Sequence, residues 1–167
     1  MRHDELMADH PALIDVQLID VPIALRGRST EHIQGLLREI ELIVTGQQSG
    51  VAMGVPARLL AVTRELETVY APQIAAAGAV IDSAAERGEA FTQTSYRLPV
   101  EARGFAAHVL EVLREVDDFC REGKHLLTVP APADVAGYRR WSLGEVVAQL
   151  DGHPPTPWPA FAAANGL

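Results

Sequence analysis

The sequence is poor in the residues on which covalent cross-links and many catalytic sites depend. It has one cysteine, Cys120, so no disulfide can form within the chain; its place beside Phe119 in a helical pattern indicates a small buried side chain. It has one lysine, Lys124, which excludes a lysine-based phosphate-binding loop elsewhere in the chain. Aromatic residues make up only 5% of the sequence. We therefore expect a core of aliphatic side chains and alanine, which favours helices.

Long apolar runs are also missing. No stretch reaches the roughly 18 apolar residues of a membrane span, and the charged N-terminal string M-R-H-D-E-L-M-A-D-H-P is not typical of a signal peptide. The formal net charge is −8, from 22 acidic and 14 basic residues, and no run of lysine and arginine forms a basic patch. We expect a cytoplasmic protein that binds neither nucleic acid nor membrane.

The strongest pattern that is present is an apolar stripe at helical spacing over residues 29–44. Ser29 is in place to act as the N-cap, Glu31 suits the positive end of the helix dipole, and Gly46 is a natural stop. Because a lone amphipathic helix is not stable in water, we expect the other segments to pack around this one. The apolar residues of the stripe are Ile33, Leu36, Leu37, Ile40, Ile43 and Val44.

Three further helical patterns open close to prolines. The second spans residues 56–87 and contains Pro72, which predicts a pronounced kink or a break at that position. The third spans residues 99–123, and the last has Asp134 at its N-terminal end and closes at Gly152. Since the connections are short, we predict a mainly all-α fold, an antiparallel four-helix bundle, with five helices if Pro72 breaks the second.

Two or three short extended links complete the predicted fold. Residues 16–25 are rich in β-branched side chains and predict an edge strand or an extended strap. Residues 91–98 alternate and predict a connector or a strand that pairs with residues 16–21. The chain then divides into a flexible lead-in (1–15), a helical bundle domain (16–151) and an extended, proline-rich tail (152–167).

Motifs for catalysis and for metal binding are scarce. Glu122 and His125 have the Glu-x-x-His spacing of di-iron bundles, but the sequence holds no second copy. Other histidines, among them His32 and His108, share no ligand spacing. No Gly-x-Ser-x-Gly string or glycine-rich phosphate loop occurs. We expect no metal, no cofactor and no enzymatic activity.

His32 carries one chemical alternative. It lies near the predicted start of the first helix, and phosphotransfer modules present an exposed histidine on a bundle helix. His32 is therefore either the phosphoacceptor of a histidine-phosphotransfer-like protein or a structural residue that bonds to the capping turn at Ser29.

The densest unusual string is Y-R-R-W-S-L-G-E, at residues 138–145. Arginine and tryptophan side chains stack and hold anionic groups, which suggests a surface for a protein partner. The structural alternative is that the tryptophans pack on the bundle and the arginines pair with the chain's own acids. The small residues at 74–85 are a second surface, suited to self-association. The candidate partner-binding residues are Arg139, Arg140, Trp141, Glu145 and Trp158.

Several strings resemble a group of small, mainly actinobacterial proteins without an established activity. The resemblance covers most of residues 20–158, and it implies a regulatory role, because such relatives accompany anti-sigma kinases, STAS-domain antagonists and SpoIIE-type phosphatases. It transfers no catalytic residue. The strings are V-P-I-A-L-R-G-R-S-T-E-H-I-Q-G-L-L-R-E-I-E-L-I, V-P-A-R-L-L-A-V-T-R-E-L, E-V-D-D-F-C-R-E-G-K-H-L-L-T-V-P and Y-R-R-W-S-L-G-E-V-V-A-Q-L-D-G-H-P-P-T-P-W.

These observations predict a non-enzymatic helical module that acts through protein contacts in bacterial signalling and forms homo-oligomers. The resemblance implies an anti-sigma or STAS-type regulator as its partner. Two alternatives stay open, namely a phosphoreceptor that uses His32 and a helical bundle that binds a small ligand or a metal.

Overall fold

The computed structural model describes residues 12–46, 54–122 and 129–167. These residues are mostly helical and include a two-stranded antiparallel sheet, which confirms the mainly helical prediction but not the four-helix bundle. In chain order the elements are β1 (Leu13–Pro22), α1 (Ile23–Gly46), α2 (Val55–Val69), α3 (Ala71–Glu86), β2 (Phe91–Pro99), α4 (Ala102–Glu122), α5 (Ala133–Leu150) and α6 (Trp158–Ala164).

The predicted break at Pro72 is confirmed. α2 ends at Val69 and α3 begins at Ala71, with Tyr70 as the residue that joins them. Pro72 lies in the first turn of α3, where its missing N–H would have no helical partner in any case. The break therefore loses little backbone hydrogen bonding, and the Tyr70 amide still donates to the Leu66 carbonyl at 3.1 Å.

Of the two alternatives for residues 91–98, a connector or a strand that pairs with residues 16–21, the structure shows the strand. Leu18 of β1 lies opposite Thr94 of β2, but Val21 lies opposite Thr92, so β1 holds one extra residue between these pairs. Asp20 in this β-bulge has a φ of 57°, a left-handed conformation that aspartate tolerates better than most residues. Because the bulge shifts the alternation of side chains, Leu18 and Val21 are both buried.

The predicted start of α1 is wrong. The helix begins at Ile23, whose amide donates to the Ala90 carbonyl at 3.1 Å. Ser29 consequently lies inside the helix, where it is buried and caps nothing, and Glu31 is not in the first turn. Contacts with distant residues, such as the Arg28–Asp134 ion pair at 2.5 Å, stabilise this first part of α1. α1 reaches Gly46, the last residue described before 54, so the predicted stop at Gly46 stays a prediction.

Three other boundaries differ from the prediction. Pro99 still belongs to β2, and α4 begins only at Ala102. Residues 13–15, expected in the lead-in, are part of β1. The tail is not wholly extended, because α6 forms with Pro159 in its first turn, a position at which proline is tolerated.

The core is organised around α5 rather than around α1. α5 packs against α1, α4, α6 and β1, and nine of its 18 residues are buried, so little of the helix faces solvent. One hydrophobic cluster joins α1, α2 and α4, with Leu36 and Val112 at its centre. A second joins β1, α4 and α5, and a third joins the sheet to α3, α5 and α6.

The structure also bears on the membrane question. Within residues 12–46, 54–122 and 129–167, no helix has both the length and the apolar run that crossing a bilayer requires.

Candidate functional site

An apolar pocket of about 220 Å³ lies where α2, α3, α4, α5 and the sheet meet, and it is partly open to solvent. Leu66, Ile74, Phe105 and Leu143 contribute to its walls. Among the described residues that line it, none is charged. An enclosed cavity of about 150 Å³ lined by leucine, isoleucine and phenylalanine takes up benzene or xenon rather than ordered water. We call this site the apolar pocket.

The break between α2 and α3 builds one wall of the apolar pocket. Leu66 precedes the break and Ile74 follows it, and Tyr70 at the junction turns its ring inward. That ring stacks on Phe105 of α4, with 5.1 Å between the ring centroids and 28° between the planes. Leu66, Tyr70 and Ile74 are spaced i, i+4 and i+8, so they would share one face of a continuous helix as well. The break places Tyr70, rather than a regular helical residue, at the middle of this wall.

Three polar side chains reach the apolar pocket: Tyr70, Tyr96 and Ser142. Burial raises the pKa of Tyr70, with Glu65 and Glu101 adding to the effect. Burial also raises the pKa of Tyr96. Both phenols therefore stay protonated at neutral pH and are able to donate a hydrogen bond to a ligand.

A second region contains the buried guanidinium of Arg139, which is 5% exposed. Its Nε donates to Ser29 Oγ at 3.1 Å, and its Nη2 lies 3.3 Å from the Ser29 carbonyl and 3.0 Å from His32 Nδ1. Nη1 has no hydrogen-bond partner within the described residues. The nearest carboxylate oxygen with which it pairs is Asp117 Oδ1, at 4.0 Å. Burial lowers the pKa of Arg139, against the opposing effect of Asp117.

A third region surrounds Glu145, which is 6% exposed. Its Oε2 accepts from Gln149 Nε2 at 2.8 Å and from the Thr156 amide at 2.9 Å. The Gln149 amide also bonds to both backbone groups of Gln17, each at 2.8 Å, and so covers the outer edge of β1. This network ties α5 to the sheet and to the segment before α6. It has the form of a structural clasp.

The candidate partner-binding residues do not form one exposed surface. Trp141 is 1% exposed and donates from Nε1 to the Thr156 carbonyl at 2.8 Å. Trp158 of α6 packs edge-on against it, with 5.6 Å between the ring centroids. Arg139 and Glu145 are buried as described above, so Arg140 is the one member of the five with an exposed side chain. Partner binding through Arg140 stays a prediction.

Both ring nitrogens of His32 are engaged. Nε2 is 2.8 Å from the Val129 carbonyl, and Nδ1 is 3.0 Å from Arg139 Nη2. The carbonyl needs a donor and the guanidinium needs an acceptor, so the ring carries its proton on Nε2. A phosphoryl group on either nitrogen would have to displace one of these bonds. Phosphorylation of His32 is untested, and this geometry weighs against it.

The stretch 74–85 covers the sheet with one face only, since Ala75, Ala76 and Ala79 are exposed. Ala77, Ile81 and Ala84 are buried where α3 packs on β2, and Thr94 Oγ1 donates to the Ala77 carbonyl at 3.3 Å. The buried face is therefore not free for self-association, and self-association through the exposed small residues of this stretch stays a prediction.

Other candidate ligands remain apart. In the described part of the chain, no three histidine, cysteine or acidic side chains come together as a metal site would require. His125 of the Glu-x-x-His string lies outside the described residues. Cys120 is buried, and that burial, with Asp117 and Glu39 nearby, raises the pKa of its thiol. The thiol form that results fits the role of a small apolar side chain.

Comparisons of this chain with protein-family models, with curated proteins and with solved structures give no match. The resemblance to actinobacterial regulators therefore stays a prediction.

Proposed function

We propose that the chain is a non-enzymatic regulatory module of the cytoplasm that binds a compact, uncharged ligand in the apolar pocket. The single observation that carries the proposal is the lining of that pocket, which is apolar except for the side chains of Tyr70, Tyr96 and Ser142.

The lining restricts the chemistry of the ligand. A charged group would lose its hydration without gaining an ion-pair partner from the described lining, at a cost of several kcal/mol. An apolar ring or short branched chain gains about 25 cal/mol for each Å² that leaves water. One carbonyl, ether or hydroxyl oxygen would find a donor in the phenol of Tyr70 or Tyr96. A monocyclic molecule with one such oxygen suits a volume of about 220 Å³.

The position of the pocket suits regulation. A ligand there would contact α2 and α3 on both sides of the break at Pro72, and α4 and α5 as well. A ligand shifts a conformational equilibrium only as far as it binds one state better than another. Such a ligand would shift the equilibrium between different angles of α2 and α3. A protein partner of the anti-sigma or STAS type would then respond to that angle.

Binding of simple probes tests the proposal. Phenol and benzene are titrated into the ¹⁵N-labelled protein, and amide chemical shifts are followed. We expect saturable shifts at residues of the pocket walls, with phenol tighter than benzene because its oxygen is able to bond to Tyr70 or Tyr96. Ala106→Leu places a larger side chain in the pocket and is expected to weaken phenol by about tenfold or more, equivalent to about 1.4 kcal/mol.

Ala75→Leu is the matched control, since Ala75 is exposed on α3 and does not line the pocket. It should leave phenol affinity unchanged, and circular dichroism should show that both variants are folded. Absence of saturable binding, or equal affinity in the Ala106→Leu variant, would reject the pocket as a ligand site.

We also propose that α1, α2, α4 and α5 act together as an antiparallel four-helix unit. Each contacts two others of the set, in the cyclic order α1, α2, α4, α5. The cluster that contains Leu36, Leu59 and Val112 lies among them, with Leu143 packed against it. Small-angle scattering with and without phenol would show whether this unit stays compact while the α2–α3 angle changes.

A further inference from the structure

A groove of about 510 Å³ runs between α4 and α5, separate from the apolar pocket. It is lined by residues of both helices, and we call it the α4–α5 groove. The neutral part of its described lining is Ala107, Leu110, Leu113 and Ala136. The charged part is Glu111, Arg114, Asp117, Arg121, Arg139 and Arg140.

The charge of the α4–α5 groove is opposite to that of the whole chain. The described lining holds four arginines and two carboxylates, and Asp118 beside it pairs with Arg121, which leaves one positive charge in excess. The chain as a whole carries −8. Because like charges repel, four arginines in one groove are costly unless something neutralises them. Their concentration here is therefore informative about what the groove binds.

The arginines of the groove differ in how far they are already paired. Arg121 pairs with Asp118. Arg114 and Arg140 are exposed and make no ion pair within the described ranges. Two unpaired guanidinium groups, one on each helix, thus line the same groove.

Arg139 adds a buried charge to this groove. Its Nη1 has no hydrogen-bond partner in the described part of the chain, and Asp117 at 4.0 Å also accepts from the Ala131 amide at 3.0 Å. Asp117 therefore neutralises Arg139 only in part. Arg139 thus adds a partly neutralised positive charge to the groove that Arg114 and Arg140 also line.

We propose that the α4–α5 groove binds a phosphate dianion, as free phosphate or as a phosphomonoester. Guanidinium groups match phosphate oxygens with paired N–H donors. Two negative charges match the two unpaired guanidinium groups of Arg114 and Arg140, whereas a monocarboxylate would match one. Arg114 and Arg140 hold the dianion from opposite sides and so link α4 to α5. This site is independent of the apolar pocket and of the ligand proposed for it.

Titration at constant ionic strength tests the site. Inorganic phosphate, phenyl phosphate and acetate are added in turn to the ¹⁵N-labelled protein, with sodium chloride adjusted so that general screening does not change. We expect phosphate to bind with a Kd of about 1 mM or tighter, with shifts at Arg114 and Arg140 Nε–H and neighbouring amides. Acetate should bind at least about fivefold more weakly.

Charge-removing variants complete the test. Arg114→Gln and Arg140→Gln should each weaken phosphate by about fivefold or more. Arg64→Gln is the matched control, because Arg64 is an exposed arginine on α2 outside the groove, and it should change the affinity by less than about twofold. Tighter binding of phenyl phosphate than of phosphate would identify a phosphomonoester site, and equal or weaker binding a site for the free anion.

Three results would overturn the proposal. They are the absence of saturable phosphate binding at constant ionic strength, acetate binding as tight as phosphate, and an equal loss in Arg64→Gln and Arg140→Gln. All three arginines are exposed, so we expect each variant to fold. Circular dichroism of each variant checks that a loss of phosphate affinity does not come from unfolding.

Discussion

Two buried charges on α5, Arg139 and Glu145, are almost equally hidden from water but differ in what surrounds them. Both donors that meet Glu145 Oε2 lie within 2.9 Å of it. Arg139 donates to Ser29 and reaches His32, yet its Nη1 has no hydrogen-bond partner within the described residues. A buried polar group that lacks a partner costs roughly 1–3 kcal/mol, so this difference matters for stability.

The comparison separates structure from function. The Glu145 network gives Oε2 two donors of the chain, and it closes α5 onto β1 and onto the segment before α6. Arg139 has a buried Nη1 without a hydrogen-bond partner among the described residues, and it lines a groove with excess positive charge. We therefore interpret the Glu145 network as architecture and Arg139 as part of the groove that we propose binds an anion.

The largest effect is expected at Glu145. Glu145→Ala leaves the Thr156 amide and one Gln149 N–H without their acceptor, and we expect a loss of about 3 kcal/mol in the free energy of unfolding. Urea denaturation followed by circular dichroism measures it. Glu145→Gln keeps an acceptor oxygen and should lose less, about 1 kcal/mol. If Glu145→Ala lowered the free energy of unfolding by less than about 1 kcal/mol, the network would not be a structural clasp.

A smaller effect is expected at Arg139. Arg139→Met removes a buried charge along with its unpartnered N–H, and the apolar side chain fills similar space, so we expect a loss of about 1 kcal/mol. The same denaturation experiment applies. A loss as large as that of Glu145→Ala would mean that Arg139 is fully satisfied in the folded protein, and the contrast between the two residues would fail.

The smallest effect is expected at an exposed pair, Arg28 and Asp134, which sets the scale for the buried charges. The hydrogen bond from Arg28, more than any other cause, lowers the pKa of Asp134. Its contribution is therefore present above the unfolded carboxyl pKa of about 3.9 and is lost as the pH falls through the lower folded value. Since both side chains are about half exposed, Asp134→Asn should cost at most about 0.5 kcal/mol at pH 7.

The measurement is the unfolding free energy of the parent and of Asp134→Asn between pH 3 and pH 7. The difference between the two curves should shrink toward zero on the acid side. A difference that grows as the pH falls would contradict the assigned sign.

Local patterns in the sequence predict much of this fold. Helical periodicity finds α4 and α5, Pro72 marks the break, and alternation at 91–98 finds the partner of β1. The start of α1 is not predicted correctly, because Pro22 and Gly27 disfavour a helix locally. Contacts with distant residues, such as Arg28–Asp134, stabilise the helix there. α6 is not predicted, because several prolines surround its start, although the alanine-rich string after Pro159 is compatible with a short helix.

The sites are harder to predict than the elements. The apolar pocket takes its walls from five elements, and no local pattern brings Leu66, Phe105 and Leu143 together. From the sequence alone, charged residues such as Arg139 and Glu145 are expected to face solvent. The signal that could reveal them is their position on α5, which carries buried residues on most of its circumference and so must place some polar side chains inside.

The most direct test of the apolar pocket is a crystal structure of the protein under xenon pressure. Xenon enters apolar cavities and is seen directly by its electron density. The account predicts a xenon atom among Tyr70, Phe105 and Leu143, and its loss in the Ala106→Leu variant. A pocket filled by ordered water or by the protein's own side chains, with xenon absent, would contradict it.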